Sequence, residues 1–201
     1  MRTRFFVNVL LVLALLILPL SASFGQDQGK QAQMNIYSLG QQTIAVSAGL
    51  FIPLFFQSSD GQYSSTTNLA LGGTATLLYG FHLDNHWLVG LSVSGMFSQS
   101  VQKNFLYQVP ICVRGSYSFH IFPFEIPVYL DLGMDIVKYR EQAHINFILK
   151  PGFSTLWKYN LSWGFGLNAV YWWVPQPWPA DPIQGRMGNF LEITATAQYT
   201  F

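Results

Sequence analysis

The chain predicts an all-β fold, an eight-stranded antiparallel up-and-down transmembrane β-barrel, and three observations carry that prediction. Half of its 201 residues are hydrophobic and only 9% are charged, against about 25% charged in soluble domains. After an apolar run at the N-terminus, Gly, Ser, Thr and charged residues break every hydrophobic stretch, which leaves no second segment of helix-spanning length. The third observation is alternation. Leu191, Ile193, Ala195, Ala197, Tyr199 and Phe201 share one parity, while Glu192, Thr194, Thr196, Gln198 and Thr200 share the other. Hydrocarbon offers no water to backbone amides, so a chain without spanning helices must satisfy them in a closed sheet.

In chain order, residues 1–25 read as a cleaved signal peptide: Arg2 and Arg4, an apolar run from Phe5 to Leu20, then small residues ending at Ser23 or Gly25. Residues 26–41 are an N-terminal periplasmic segment or the start of the first strand, and 42–201 form the barrel. Without Arg2 and Arg4 the formal charge of +1 becomes slightly negative, which leaves no basic field for nucleic acid. The single cysteine, Cys112, excludes a disulfide framework.

Strands are predicted near 42–56, 67–82, 87–99, 105–119, 127–139, 144–158, 161–174 and 188–201. Asp84-Asn85, the stretch 122–127 and Tyr159-Asn160 are short periplasmic turns rich in turn-forming residues. Ser58 to Thr66, Ser100 to Asn104, Arg140 to Ala143 and Pro175 to Met187 are the outer loops. The strand 161–174 repeats the final alternation, with Trp163, Phe165 and Leu167 opposite in parity to Gly164, Gly166 and Asn168.

Aromatic side chains prefer the membrane–water boundary and should form two bands. Tyr79, Phe81, Trp87, Tyr117, Phe119, Trp157, Trp163, Tyr199 and Phe201 fall near the periplasmic strand ends. Phe56, Phe97, Phe105, Tyr107, Tyr171 and Trp173 fall near the outer ends. The mid-strand charges Arg114, Asp131, Asp135, Lys150 and Glu192 all take the inward parity, as they must where a lipid-facing cation costs about 2 to 4 kcal/mol. Arg114 with Asp131, and Asp135 with Lys150, are at similar depth on adjacent strands and are predicted ion pairs. Lys138 and Lys158, at strand ends, are placed to reach the interface.

With its signal-like leader, alternating strands and the closing Ala197-Gln198-Tyr199-Thr200-Phe201, the chain resembles the small bacterial outer-membrane barrels of the OmpA, OmpX and OmpW type. The resemblance implies a location in the bacterial outer membrane and an assembly signal at Phe201, Tyr199 and Ile193, read by the barrel-assembly machinery. It also implies outer-membrane lipid and periplasmic chaperones as partners and a monomeric state. OmpW-like members of the group are associated with passage of small hydrophobic compounds. The charged lumen of this chain looks more like the filled interior of the OmpA barrel.

No catalytic residue, metal ligand or cofactor site is predicted. His82, His86 and His120 fall at the periplasmic rim, while His144, near the outer end, has Asn146 and no serine two residues on. The proline-rich run from Val174 to Pro182, with Trp172, Trp173 and Trp178, reads first as an aromatic girdle continuing into a rigid cap and second as a candidate surface-binding loop for a ligand, lipid or host molecule. These residues point to a non-enzymatic, plugged barrel with an envelope-structural or surface-interaction role. The alternatives are an OmpW-like channel, a lipid-modifying enzyme and a soluble lipocalin-like barrel. The last would carry its apolar face inside.

Overall fold

The computed structural model describes residues 36–58, 64–139, 142–176 and 186–201. The leader at 1–25 and Trp178 lie outside these residues. Among the described residues strand alternation produces nine elements: β1 Gln42–Ser58, β2 Ser64–Ser65, β3 Gly72–His82, β4 Trp87–Gln99, β5 Phe105–Ile121, β6 Phe124–Tyr139, β7 Gln142–Lys158, β8 Trp163–Gln176 and β9 Arg186–Thr200. Eight of them pair in sequence order, all antiparallel, and β9 returns to β1 to close the barrel. The two-residue β2 pairs only with the end of β1, Phe56 opposite Ser65. The chain is therefore the predicted eight-stranded up-and-down barrel.

Both ends of the barrel segment lie at one rim, which we call the terminal end. Its turns are short because asparagine and aspartate side chains replace the missing backbone partners. Asp84 Oδ1 accepts from the His86 and Trp87 amides at 2.7 Å each. Asn160 Oδ1 accepts from the Ser162 and Trp163 amides at 2.9 and 2.7 Å. The longer connections sit at the opposite, loop end.

The outer wall is apolar around the barrel: Val46, Leu77, Leu91, Ile111, Val113, Leu132, Phe147 and Leu167 are all exposed, while their sequence neighbours turn inward. A patch of this extent does not suit water. Trp87, Trp157, Trp163, Tyr199 and Phe201 ring the terminal end, and Phe97, Phe105 and Tyr107 the loop end.

Several sequence expectations shift. β3 starts at Gly72 and not at 67, with Leu69 making an isolated bridge to Ser100. The turn assigned to 122–127 is only Phe122-Pro123, so β6 begins at Phe124 and extends the wall by three residues. In β1 the register against β9 slips between Pro53 and Phe55. One extra residue reverses the facing of the rest of the strand. Phe55 is exposed, and Phe56, predicted on the outer wall, packs edge-on against Phe190 at 6.0 Å.

Candidate functional site

The lumen is filled in three layers. Toward the loop end, Phe51, Met96, Leu106, Val137, Ile148, Trp172, Val174 and Phe190 form a buried apolar plug. Phe51 lies 5.2 Å from the Trp172 ring and 5.0 Å from the Phe190 ring, which brings three aromatic side chains together inside the lumen. Eight strands leave an interior only wide enough for side chains to fill.

Beneath the plug lies a charged belt. Arg114 grips Asp131 through two parallel bonds, Nε to Oδ1 at 2.6 Å and Nη2 to Oδ2 at 2.8 Å, and its guanidinium covers the Tyr129 ring at 3.8 Å. Ser92 Oγ donates to the same Asp131 Oδ2 at 2.9 Å. Lys150 Nζ donates to Ser94 Oγ at 2.8 Å, lies 3.7 Å from Glu192 Oε2, and sits 4.1 Å under the Trp172 ring. Trp172 Nε1 donates to Glu192 Oε2 at 2.7 Å, and Thr76 Oγ1 donates to Ser94 Oγ at 2.8 Å. Asn168 Nδ2 donates to Ser47 Oγ at 2.9 Å and Thr194 Oγ1 at 3.2 Å. Each of the eight barrel strands thus contributes a side chain to the belt. A buried charge is tolerated when paired and bonded in this way.

All five predicted lumenal charges lie inside, but only one predicted pair forms. Lys150 is opposite Asp131 in register and Asp135 is opposite Asn146, so Lys150 reaches across to Glu192 instead of up to Asp135. Asp135 is left buried between Pro110 and Asn146 in register, its oxygens without a well-formed hydrogen bond and the Val109 amide a weak donor. Trp172, assigned to an outer binding surface, is fully buried in the lumen, because the inward parity of Asn168 and Val170 continues through it. Trp173 takes the opposite, half-buried face. Phe201, Tyr199 and Ile193 are exposed along the outer face of β9.

The third layer, at the terminal end, is one that sequence patterning did not reveal. Residues 36–41 turn back under the barrel and place Tyr37, only 3% exposed, in the mouth. Its hydroxyl donates to Glu125 Oε2 at 2.6 Å and accepts from Lys158 Nζ, which also lies 2.9 Å from Glu125 Oε2. The ring stacks on His82 at 3.8 Å and 15° and leans against His120 at 5.8 Å. His82 Nε2 shares a 2.9 Å hydrogen bond with Thr43 Oγ1. Burial, followed by the Glu125 carboxylate, pushes the Tyr37 phenol far above its ordinary value, so it stays a neutral donor. Lys158, predicted to reach the interface, points inward to this group. Between mouth and belt lies a cavity of about 40 Å³ lined by Ser47, Thr76, Ser116, Ser118, Asn168 and Gln198 among others. It has room for about three water molecules.

His144 is exposed at the loop end, away from this group. Among the described residues no cluster of His, Cys, Asp and Glu has metal-site geometry.

A protein-family model matches residues 24–199. An uncharacterized protein of Borreliella burgdorferi is 27% identical over 163 residues, 70% of this chain and 76% of its own length. One from Treponema pallidum is 26% identical over 100 residues, 50% of this chain and 46% of its own length. Among solved structures, Neisserial surface protein A is similar with a TM-score of 0.56 at 14% identity, covering 81% of this chain and 97% of that one. The outer membrane protein OprG of Pseudomonas aeruginosa gives 0.53 at 11%, covering 82% and 97%.

Proposed function

We propose, because the chain belongs to the protein family whose model matches residues 24–199 and has the fold of small outer-membrane barrels, that it is an integral protein of the bacterial outer membrane with a closed lumen. Its role in this reading is non-enzymatic: a monomeric, lipid-embedded element of the envelope, delivered by periplasmic chaperones and the barrel-assembly machinery, that offers its loops to the outside. The observation that carries the proposal is the lumen itself. A belt bonded to all eight strands lies under a plug of Phe51, Trp172 and Phe190, and solutes have no path through close-packed side chains. Passage of small hydrophobic molecules in the OmpW manner would need an apolar route, whereas Lys150 and Glu192 stand across the centre.

Purified protein in planar bilayers tests this reading. No single-channel steps are expected at moderate voltage, and reproducible conductance would overturn the closed lumen. Membrane fractionation with gel mobility before and after boiling tests the location. Recovery of the processed chain in detergent-free aqueous extract would overturn that part.

A further inference from the structure

The terminal mouth holds a ring that belongs to neither strand nor turn. Tyr37 is buried as deeply as the lumenal core, yet it sits on a short segment whose next residues, Ser38 and Leu39, are exposed. The backbone of Ile36 and Tyr37 is fixed by one side-chain atom, Asn85 Oδ1, which accepts from both amides at 2.8 and 3.2 Å. From Gln42 onward the chain is locked into the barrel, with the Gln42 and Phe201 backbones exchanging bonds at 3.0 and 2.9 Å. Between the two anchors stands Gly40 at φ +83°, a left-handed conformation that glycine adopts without strain, with open space on the side where other residues carry a Cβ; its amide donates to the His82 carbonyl at 2.9 Å, one bond that a swing of the arm would break. A deeply seated ring on an arm whose residues 36–38 make, among the described residues, no backbone-to-backbone hydrogen bond to a strand, next to a permissive backbone position, has the parts of a stopper. Segments with few backbone bonds open at the low end of a protein's range of local stabilities.

The seat suits a phenol specifically. An imidazole face stacks on the ring, while a carboxylate, an ammonium and the Gln198 amide, 3.4 Å away, all address the hydroxyl. Behind it lies the cavity, lined by the hydroxyls of Ser116 and Ser118 and by the apolar Leu78, Leu88 and Leu156, with Arg114 and Glu192 of the belt on its far side. We propose that Tyr37 is a detachable stopper: the arm 36–39 swings out about Gly40, opens the cavity to the terminal side, and leaves a phenol-binding seat formed by His82, His120, Glu125, Lys158 and Gln198. With the plug in place the opened space is a pocket with one mouth, accessible from the periplasm and shut toward the outside. The inference rests on the closed-lumen reading for the far wall only.

The test uses Ser116→Cys, a buried cavity-lining position, in a Cys112→Ala background, and follows labelling of the folded full chain in lipid vesicles by iodoacetamide. With Tyr37 present, labelling is expected to be slow. Tyr37→Ala should accelerate it at least tenfold, and p-cresol, supplying the missing ring, should slow it again. Asn85→Ala, which keeps the ring and frees the arm, should accelerate it about threefold or more and serves as the deciding variant where Tyr37→Ala fails to show the heat-dependent gel shift of a folded barrel. Equal rates in the parent and these folded variants would overturn the stopper. Acceleration that p-cresol leaves unchanged would overturn the phenol seat. Bilayer conductance of the wild type would instead refute the closed far wall, and the labelling ratios would still stand, so the two failures are distinguishable.

Discussion

Replacement of Arg114 by methionine isolates the belt's strongest pair. The guanidinium supplies two of the three hydrogen bonds that Asp131 receives from side chains, and Ser92 supplies the third. Asp131 has no exposure and the Arg114 side chain only 10%, so solvent screens neither, and the loss is that of an uncompensated buried charge, about 3–5 kcal/mol. With a urea slope of about 2 kcal/mol per molar for a protein of this size, the unfolding midpoint should fall by roughly 2 M. Tryptophan fluorescence in lipid vesicles, checked by gel mobility, measures that shift. The double variant Arg114→Met with Asp131→Leu removes both charges and should recover most of the loss, since an apolar replacement of a whole buried pair is close to neutral. An unchanged midpoint in the single variant, or a double variant no better than the single, would refute the claim that the pair is held together by mutual compensation.

The other expected outcomes use the same assay. Glu192→Gln removes the carboxylate nearest the fully buried Lys150 and should cost about 3–5 kcal/mol, with Glu192→Gln/Lys150→Met close to wild type; a midpoint unmoved by Glu192→Gln would show Lys150 compensated elsewhere. Trp172→Ala vacates the centre of the plug and strips the cover from Lys150, so a loss of about 3–5 kcal/mol is expected; a change under about 1 kcal/mol would mean the plug collapses into the space. Leu132→Arg, on the exposed outer wall beside Asp131, should cost about 2–4 kcal/mol in vesicles, and a neutral result would place that wall away from hydrocarbon.

What the sequence made legible depended on whether neighbouring residues differ in chemistry. In β9 they do, Ile193 and Tyr199 against Glu192 and Thr200, and the two faces separate cleanly. The pairing of Arg114 with Asp131 followed from parity and depth. The partner of Lys150 did not, because that depends on the stagger between β6 and β7 and on a reach across the bore to β9. Trp172 shares the inward parity of Asn168, but grouping it with Trp173 and Trp178 beside the proline-rich run hid that signal. Glu125 was hidden by two prolines: Pro123 and Pro127 suggested a long turn, while only Pro123 sits in one. Phe56 was reversed by a bulge whose one trace in the sequence is Pro53, which cannot donate to the ladder and sits at the slip. Tyr37 stands in a short polar stretch with no periodicity, so only folding could reveal that it enters the mouth.

The seam between β9 and β1 runs from Thr43 opposite Thr200 to Ser58 opposite Arg186, as long as the ladders between strands adjacent in the chain. The junction of the first and last strands is thus no weak point of the wall, and the backbones of Gln42 and Phe201 already touch. Neighbouring ends are what tolerate circular permutation. A chain spliced from Phe201 to Gln42 through a short flexible bridge, and cut instead between Asn160 and Leu161 so that Asn160 becomes the last residue, would retain the pairings between strands while moving the aromatic-ended strand to the interior of the gene. Insertion of such a recut polypeptide would show that Phe201 serves the finished cylinder without having to end the chain, and failure to insert would point to a role during delivery.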